Sequence, residues 1–417
     1  MTSWRELLQN RGFLTVWSAS TVSGLGDKIA IIALYLLVHR MTGRAVDLGL
    51  LAAVQIVPAI LLGPLSGLLS DRCDRRSVMI ACDLGSAAVA AALAFADSLP
   101  LVYLLAALLA AGRQIGGPAR FALLPDIVPE RDLSRANALA MVTQNLVLLV
   151  GPALGGAIVA LWGTDAAFWA DGGSFVASAA LLGARRFSYL RPAHAQTLAA
   201  TGMSRAGRLG RVRADVRDAA AWLLGQPQLR FAFFFLAALA FVSAMQQPLV
   251  VLFVKDVLGR GDVDLGLIMS AAGLGGLAGA LASSFFCTSR HALRNVTWLV
   301  AIDGLALILF AANRSFIAAV GLFGLFGALG SVAQINLATF LQRETPEDRR
   351  GRVFSWLTPL LGPLSLLSVM GGPLAADALG VVPVLAFSGL FELAVGLLGR
   401  ALLPRAIRPE PPAAEPG

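Results

Sequence analysis

The chain has 417 residues, of which 57% are hydrophobic and only 14% charged, with 43 glycines and a net charge of +8. It is too apolar and too glycine-rich for an ordinary soluble domain of this length. Its apolar residues come in long continuous runs, not in the alternating segments of about ten residues that build a membrane β-barrel. An all-α integral membrane protein is what remains.

A bilayer-spanning helix takes about 20 mostly apolar residues. In chain order such stretches fall at 12–38, 46–70, 78–97, 100–118, 137–162, 165–184, 229–254, 264–288, 293–312, 315–339, 353–375 and 380–403, twelve in all. The opening "MTSWRELLQNRGF" runs into the first stretch with no small-residue cleavage site, which predicts a retained helix and not a signal peptide. Of the 33 basic residues, only Arg40, Arg44, Lys255, Arg260 and Arg314 fall between spans on the side away from the termini, and only Lys28 and Arg113 fall inside spans. The positive-inside rule then predicts a multi-pass protein of the cell membrane with both termini cytoplasmic, and it accounts for the net charge without any nucleic-acid partner. Cys73, Cys82 and Cys287 fall toward one side, against a disulfide framework, and His39, His194 and His291 lack metal-ligand spacing, so no metal is expected.

The first span, "TVSGLGDKIAIIALYLLV", carries Asp27 and Lys28 side by side. At the helix centre the two cost about 5–7 kcal/mol, while the apolar residues of that span return about 4–7, so the charges require a polar interior. Adjacent helical residues point about 100° apart, so Asp27 and Lys28 do not simply neutralise each other. The other ionisable candidates inside spans are Arg113 in the fourth, Asp171 in the sixth, Asp303 in the ninth and Glu392 in the twelfth, with Asp83 near the inner end of the third. A structural ion pair that fixes helix register is the alternative reading of Asp27. Tyr35, Gln55, Gln144, Asn145, Phe175, Gln246 and Gln247, with Gln334 and Asn336, are the candidates for lining a substrate cavity.

Between the second and third spans, "GPLSGLLSDRCDRRSVMI" resembles the signature loop of the major facilitator superfamily, Gly-x-Leu-x-Asp-Arg-x-Gly-Arg-Arg, through Gly67, Leu69, Asp71, Arg72, Arg75 and Arg76. The turn glycine is replaced by Asp74, a residue that tolerates left-handed backbone. The resemblance implies a cytoplasmic gating loop that latches the halves together, with Asp71 at the start of the eleventh helix near Gly351. The fifth span, "QNLVLLVGPALGGAIVALWG", looks like the Gly-Pro-x-x-Gly-Gly exporter motif through Gly151, Pro152, Gly155 and Gly156. Such glycines admit a second backbone, and Gly275 and Gly279 of the eighth span are the expected partners. Through "WSASTVSGLGDKIAIIALYLLV" at the start, "RFALLPDIVPERDLSRANAL" after the fourth span and "DGGSFVASAALL" in the sixth, the first half further resembles the macrolide-efflux branch of the drug:proton antiporters, with siderophore exporters as near relatives. In those antiporters a fourth-span arginine, here Arg113, is associated with proton coupling.

Residues 185–228 interrupt the spans with a run of arginines and no lysine, and Leu209, Val212, Val216 and Leu223 suit an interfacial helix on an anionic leaflet. The expected organisation is a six-helix bundle over 1–184, this linker over 185–228, a second bundle over 229–403 and a disordered tail over 404–417. "PERDLSRAN" at 129–137 and "PEDRRGRVF" at 346–354 stand 217 residues apart, and "GGAIVALWG" is echoed by "GGPLAADALG", which points to an internal duplication. The fold expected is therefore the major facilitator fold: twelve helices in two pseudo-symmetric bundles with the site between them.

The resemblance implies a monomeric secondary transporter without cofactor, driven by the proton gradient and exporting hydrophobic or amphipathic compounds; the place of Asp27 in the first span makes it the residue expected to take and release the coupling proton, with Lys28 or Arg113 attracting its carboxylate form. Alternatives are a siderophore or metabolite exporter, a lysophospholipid flippase and a non-transporting receptor. "GLGDK" is too compact for a phosphate-binding loop, and no paired-histidine motif suggests an enzyme.

Overall fold

In the computed structural model, residues 4–184, 225–286, 292–345 and 347–403 are described, and every regular element among them is helical. A short α1 (Trp4–Gln9) leads through Asn10, whose side chain accepts the Phe13 amide, into α2 (Arg11–Thr42). There follow α3 (Ala45–Arg72), α4 (Arg75–Leu93), α5 (Leu99–Ile127) and α6 (Glu130–Ala184). After the linker come α7 (Pro227–Leu252), a π-helical turn over Phe253–Val257, α8 (Asp262–Phe286), α9 (Ala292–Ala312), α10 (Phe316–Glu344), α11 (Glu347–Leu379) and α12 (Val381–Leu402).

Ten of the described helices are long and apolar enough to cross a membrane. One of them, α6, has 55 residues, and it breaks at Gly163 (φ 85°, ψ 175°) into two arms that are the fifth and sixth spans. α11, at 33 residues, lies over the eleventh predicted stretch, so a helix stands at each of the twelve. The expected linker helix, including Leu209, Val212 and Val216, and the tail over 404–417 lie outside the described residues, as does Cys287.

The positive-φ glycines give the duplication a structural form. Gly43 (φ 63°) and Gly259 (φ 61°) follow the first and seventh spans, 216 residues apart, while Gly163 (φ 85°) and Gly380 (φ 89°) precede the sixth and twelfth, 217 apart. Each supplies a left-handed turn that a side chain would strain. The contacts between halves repeat at the same offset. A Cβ at Gly49 of α3 would meet the Val369 carbonyl and Pro373 of α11, and one at Gly266 of α8 would meet the Pro152 carbonyl and the Gly156 Cα of α6.

These contacts lie toward the face opposite the chain termini, called here the far face, where one apolar core joins the halves: Leu36, Leu48, Val251, Phe253, Phe310 and Leu385 belong to it. Toward the terminal face the core splits. Phe13, Met79, Leu123 and Leu182 pack within the first half, and Leu229, Leu293 and Phe340 within the second. Among the described residues, the two halves thus share one core at one end and have separate cores at the other.

Candidate functional site

The separation leaves two cavities. The first, about 630 Å³, is walled by α2, α5 and the first arm of α6, and runs from Phe13, Leu124 and Asn137 near the terminal face to Asp27, Lys28 and Arg113 at mid-depth. The second, about 510 Å³, lies among α7, α8, α9, α10 and α12 and reaches Asp303 and Glu392. Asn145 and Leu148 line both, so the cavities adjoin along α6. Each volume suits a drug-sized ligand.

In the first cavity the partner of Asp27 is Arg113, whose Nη1 donates to Oδ1 at 3.1 Å, while Nη2 donates to Gln55 Oε1 at 3.3 Å. The planar fork of the guanidinium thus ties α2, α3 and α5 together at one point. Arg120 reaches Ser23 Oγ at 3.3 Å from the next turns of α5. Lys28 lines the same cavity with its stem against Gly151. Three basic groups and one carboxylate therefore face this space, and its charge balance is positive.

Asp171, fully buried, packs against Gly26 within electrostatic reach of Asp27 and Arg113, and neither of its carboxylate oxygens has a hydrogen-bond partner. Asp83, also buried, accepts from Ser178 Oγ at 2.6 Å. In the second half Gln246 Nε2 donates to Glu392 Oε1 at 2.8 Å, and the carboxyls of Glu392 and Asp303 lie within hydrogen-bonding reach of each other. The ionisable candidates therefore form two clusters, one per half.

Several expectations change. Tyr35 and Phe175 are 2% and 4% exposed and belong to the apolar core, because both are large enough to fill the space between packed helices. Gln247 is exposed and lines neither cavity, whereas Gln144 and Asn145 line the first and Gln334 the second. Asn336 is buried and donates to the Val332 carbonyl one turn back on its own helix. Of the exporter-motif glycines, Gly151 and Gly155 pack on Lys28 and Ile29 of α2, and only Gly156 meets α8, at Asp262 and Gly266. Gly275 and Gly279 face Gly324 and Ala328 of α10 instead, because the α8 face toward α6 is the one that carries Gly266 and Gly273.

At the loop after α3, Asp74 is not left-handed but extended (φ −60°, ψ 116°), and its carboxylate caps α4 by accepting the Ser77 amide at 3.0 Å. That is what an aspartate offers where a glycine offers nothing. Arg75 pairs with Asp126, and Arg76 donates to the Leu182 and Gly183 carbonyls at 2.7 and 3.0 Å, so the turn grips the ends of α5 and α6. The surroundings of Gly67, Asp71 and Arg72, and of the start of α11 that would receive the latch, lie outside what is described.

Sequence reasoning missed the far-face seal. Asp377 of α11 accepts the Ala45 and Val46 amides at 2.7 and 3.0 Å, capping α3 across the two halves. Asp262 at the start of α8 accepts from Lys255 at 2.6 Å and pairs with Arg40 of α2, and His39 stands 3.3 Å from Asp256. The signal available was the rarity of basic residues on that side: Arg40 and Lys255 are two of five.

The family model of the Major Facilitator Superfamily matches residues 16–368. The multidrug efflux pump Tap of Mycolicibacterium fortuitum is 29% identical over 94% of this chain and 95% of its own. Macrolide efflux protein A of Streptococcus pyogenes is 30% identical over 37% of this chain and 39% of its own. Among solved structures, the nucleoside transporter NupG superposes with a TM-score of 0.70 at 14% identity, covering 95% of this chain and 99% of that one.

Proposed function

The chain belongs to the major facilitator superfamily of transporters, and from that premise we propose that it exports hydrophobic or amphipathic small molecules by alternating access, driven by inward proton flow. The observation that carries this reading is the core that is single toward the far face and split toward the terminal face, with charged groups at the depth where the split begins. The similarity to Tap over nearly the whole chain supports export over uptake.

In this reading the termini are cytoplasmic, as the arginine distribution predicts, and the state described is open to the cytoplasm. Asp27 exchanges the coupling proton. While it is ionised, the Arg113 bridge holds α2 to α5 and Gln55 to both; protonation releases the guanidinium and with it the tie between these helices. Asp171, buried beside them without a hydrogen-bond donor, is the second carboxyl that a freed Arg113 can meet. The protein works as a monomer in the cell membrane and needs no cofactor beyond the gradient.

The test is a proton-movement assay in everted membrane vesicles of an efflux-deficient host. Addition of a transported compound should discharge the pH gradient with wild type and should fail to do so with Asp27→Asn. Undiminished discharge by Asp27→Asn would remove Asp27 from the coupling role.

A further inference from the structure

A third space, a groove of about 450 Å³ among α8, α9 and α10, belongs to neither cavity described above. It lies toward the terminal face, near the end of α8 and the start of α9, and small residues carve it: Ala278, Gly279 and Ala282 of α8 and Ala328 of α10. Its outer side is open to lipid. On α9 the exposed residues Trp298, Ile302, Leu305 and Leu309 recur at helical spacing, while the second cavity takes Val296, Val300 and Asp303 from another face of that helix. On α8, Leu274 and Leu281 are exposed in the same way. The lining is apolar but for Asn295 and the indole N–H of Trp298, so water gains little there and the occupant comes from the bilayer. Leu299 and Leu329 line both this groove and the second cavity, and these two side chains are therefore the partition between lipid and the central space.

The mouth of the groove carries a charge. Arg294 stands one turn before Trp298 on the same face of α9, about 6 Å closer to the terminal face. Its side chain is half-buried, and its guanidinium has no ion-pair or hydrogen-bond partner among the described residues. Helical side chains lean toward the N-terminus of their own helix, which for α9 is the terminal face, so guanidinium and indole both reach toward headgroup level. The other described charges at the terminal-face ends of these three helices, Arg343 and Glu344, are exposed and opposite in sign, which leaves Arg294 as the net charge there. An apolar slot under one free cation complements a molecule with a hydrocarbon chain and an anionic head, as basic pockets between transmembrane helices do.

We infer that this groove seats one anionic phospholipid of the terminal-face leaflet, with its phosphate on Arg294 and its acyl chain behind Leu299 and Leu329. The seated chain backs the partition and closes the second cavity against the bilayer. The inference rests on the chain spanning a membrane, and not on the direction or the driving force of transport.

The probes are phosphatidylglycerol and phosphatidylcholine with brominated acyl chains, which quench tryptophan on contact, diluted into nanodiscs that hold the purified full-length protein. The Trp298 signal is the difference between wild type and Trp298→Phe. Brominated phosphatidylglycerol should quench it at about fivefold lower mole fraction than brominated phosphatidylcholine, the worth of one basic group at an anionic surface. Arg294→Gln should erase that preference, and Ala282→Phe, which fills the groove, should erase it too; Arg314→Gln, in the far-face turn after α9, should leave it unchanged. As measurements on wild type alone, a photoreactive phosphatidylglycerol should label the peptide that contains Trp298, and added phosphatidylglycerol should raise the melting temperature of delipidated protein more than phosphatidylcholine does. Equal quenching by the two lipids in wild type, a preference that survives Arg294→Gln or Ala282→Phe, or labelling that avoids the Trp298 peptide overturns the inference. Displacement of the label by a transported compound overturns it as well, since the groove would then hold substrate and not lipid. Loss of proton-driven export in vesicles with the lipid preference intact would sink the proposed function and leave this inference standing.

Discussion

The two halves meet at the far face through glycine, and this makes Gly49→Ala and Gly266→Ala the most direct perturbations of the conformational balance. An added methyl at Gly49 would sit 2.5 Å from the Val369 carbonyl oxygen and 2.8 Å from Pro373 Cγ, and one at Gly266 would sit 3.2 Å from both Ala153 Cα and Gly156 Cα with the Pro152 carbonyl closer still. The obstructing atoms are backbone and a proline ring, which have no rotamer to give, so relief comes only by moving α3 from α11 or α8 from α6. Overpacking of this kind costs about 1–3 kcal/mol, and about 1.4 kcal/mol is a tenfold change in an equilibrium constant. Since the cost falls only on the state in which the far face is closed, each substitution should shift the population toward the far-open state by about 5- to 100-fold. The assay is electron spin resonance distance measurement between labels on far-face turns of opposite halves, at Asp97→Cys and Arg314→Cys, in a background without Cys73, Cys82 and Cys287. A longer-distance population should appear with either alanine. Because the two glycines are counterparts at one offset, the double variant should add. Unchanged distances in a protein that elutes and melts like wild type would refute the claim that these contacts set the balance.

Asp377→Ala removes the cross-half cap on Ala45 and Val46 and should cost about 0.5–2 kcal/mol of far-face closure, read by the same label pair as a smaller shift of the same sign. Arg113→Lys keeps the charge but loses the planar fork whose two nitrogens reach Asp27 and Gln55 separately, so substrate-dependent proton movement in vesicles should fall at least tenfold, although the exchange looks mild. Ser178→Ala leaves the buried Asp83 carboxylate without its 2.6 Å donor and should lower stability by about 1–3 kcal/mol in a thermal-shift assay while leaving the substrate profile alone.

The span positions were legible because a bilayer imposes a length and a composition that a run of apolar residues either has or lacks. All twelve were found from that rule. Partnerships were not legible in the same way. That Asp27 needed a partner followed from the cost of a charge in the membrane, and the 100° between adjacent helical residues spoke against Lys28, but nothing in the spacing said that α5 brings Arg113 to 3.1 Å. Gly275 and Gly279 had the right spacing for close packing and the right helix, yet a helix offers several faces and the repeat alone does not say which one turns to α6. Tyr35 and Phe175 failed for a related reason. An aromatic at helical spacing fits a packed wall or a cavity wall equally well, and only the neighbours decide.

The duplication itself explains why the charges resist prediction. At the 217-residue offset, Asp27 corresponds to Ala244, Arg113 to Gly330 and Arg120 to Leu337, while Asp303 corresponds to Ser86 and Glu392 to Phe175. The features that recur between halves are the ones that hold helices together: left-handed glycines after the first and seventh spans and before the sixth and twelfth, and the glycine contacts at Gly49 and Gly266. The charged groups that line the two cavities do not recur. A symmetric frame with an asymmetric lining places a positively balanced cluster on one side of the central gap and a carboxyl pair on the other. In the proposed reading, a compound and a proton held by different clusters do not meet directly. Coupling between them then has to pass through the relative position of the halves, which is what the glycine seal at the far face controls.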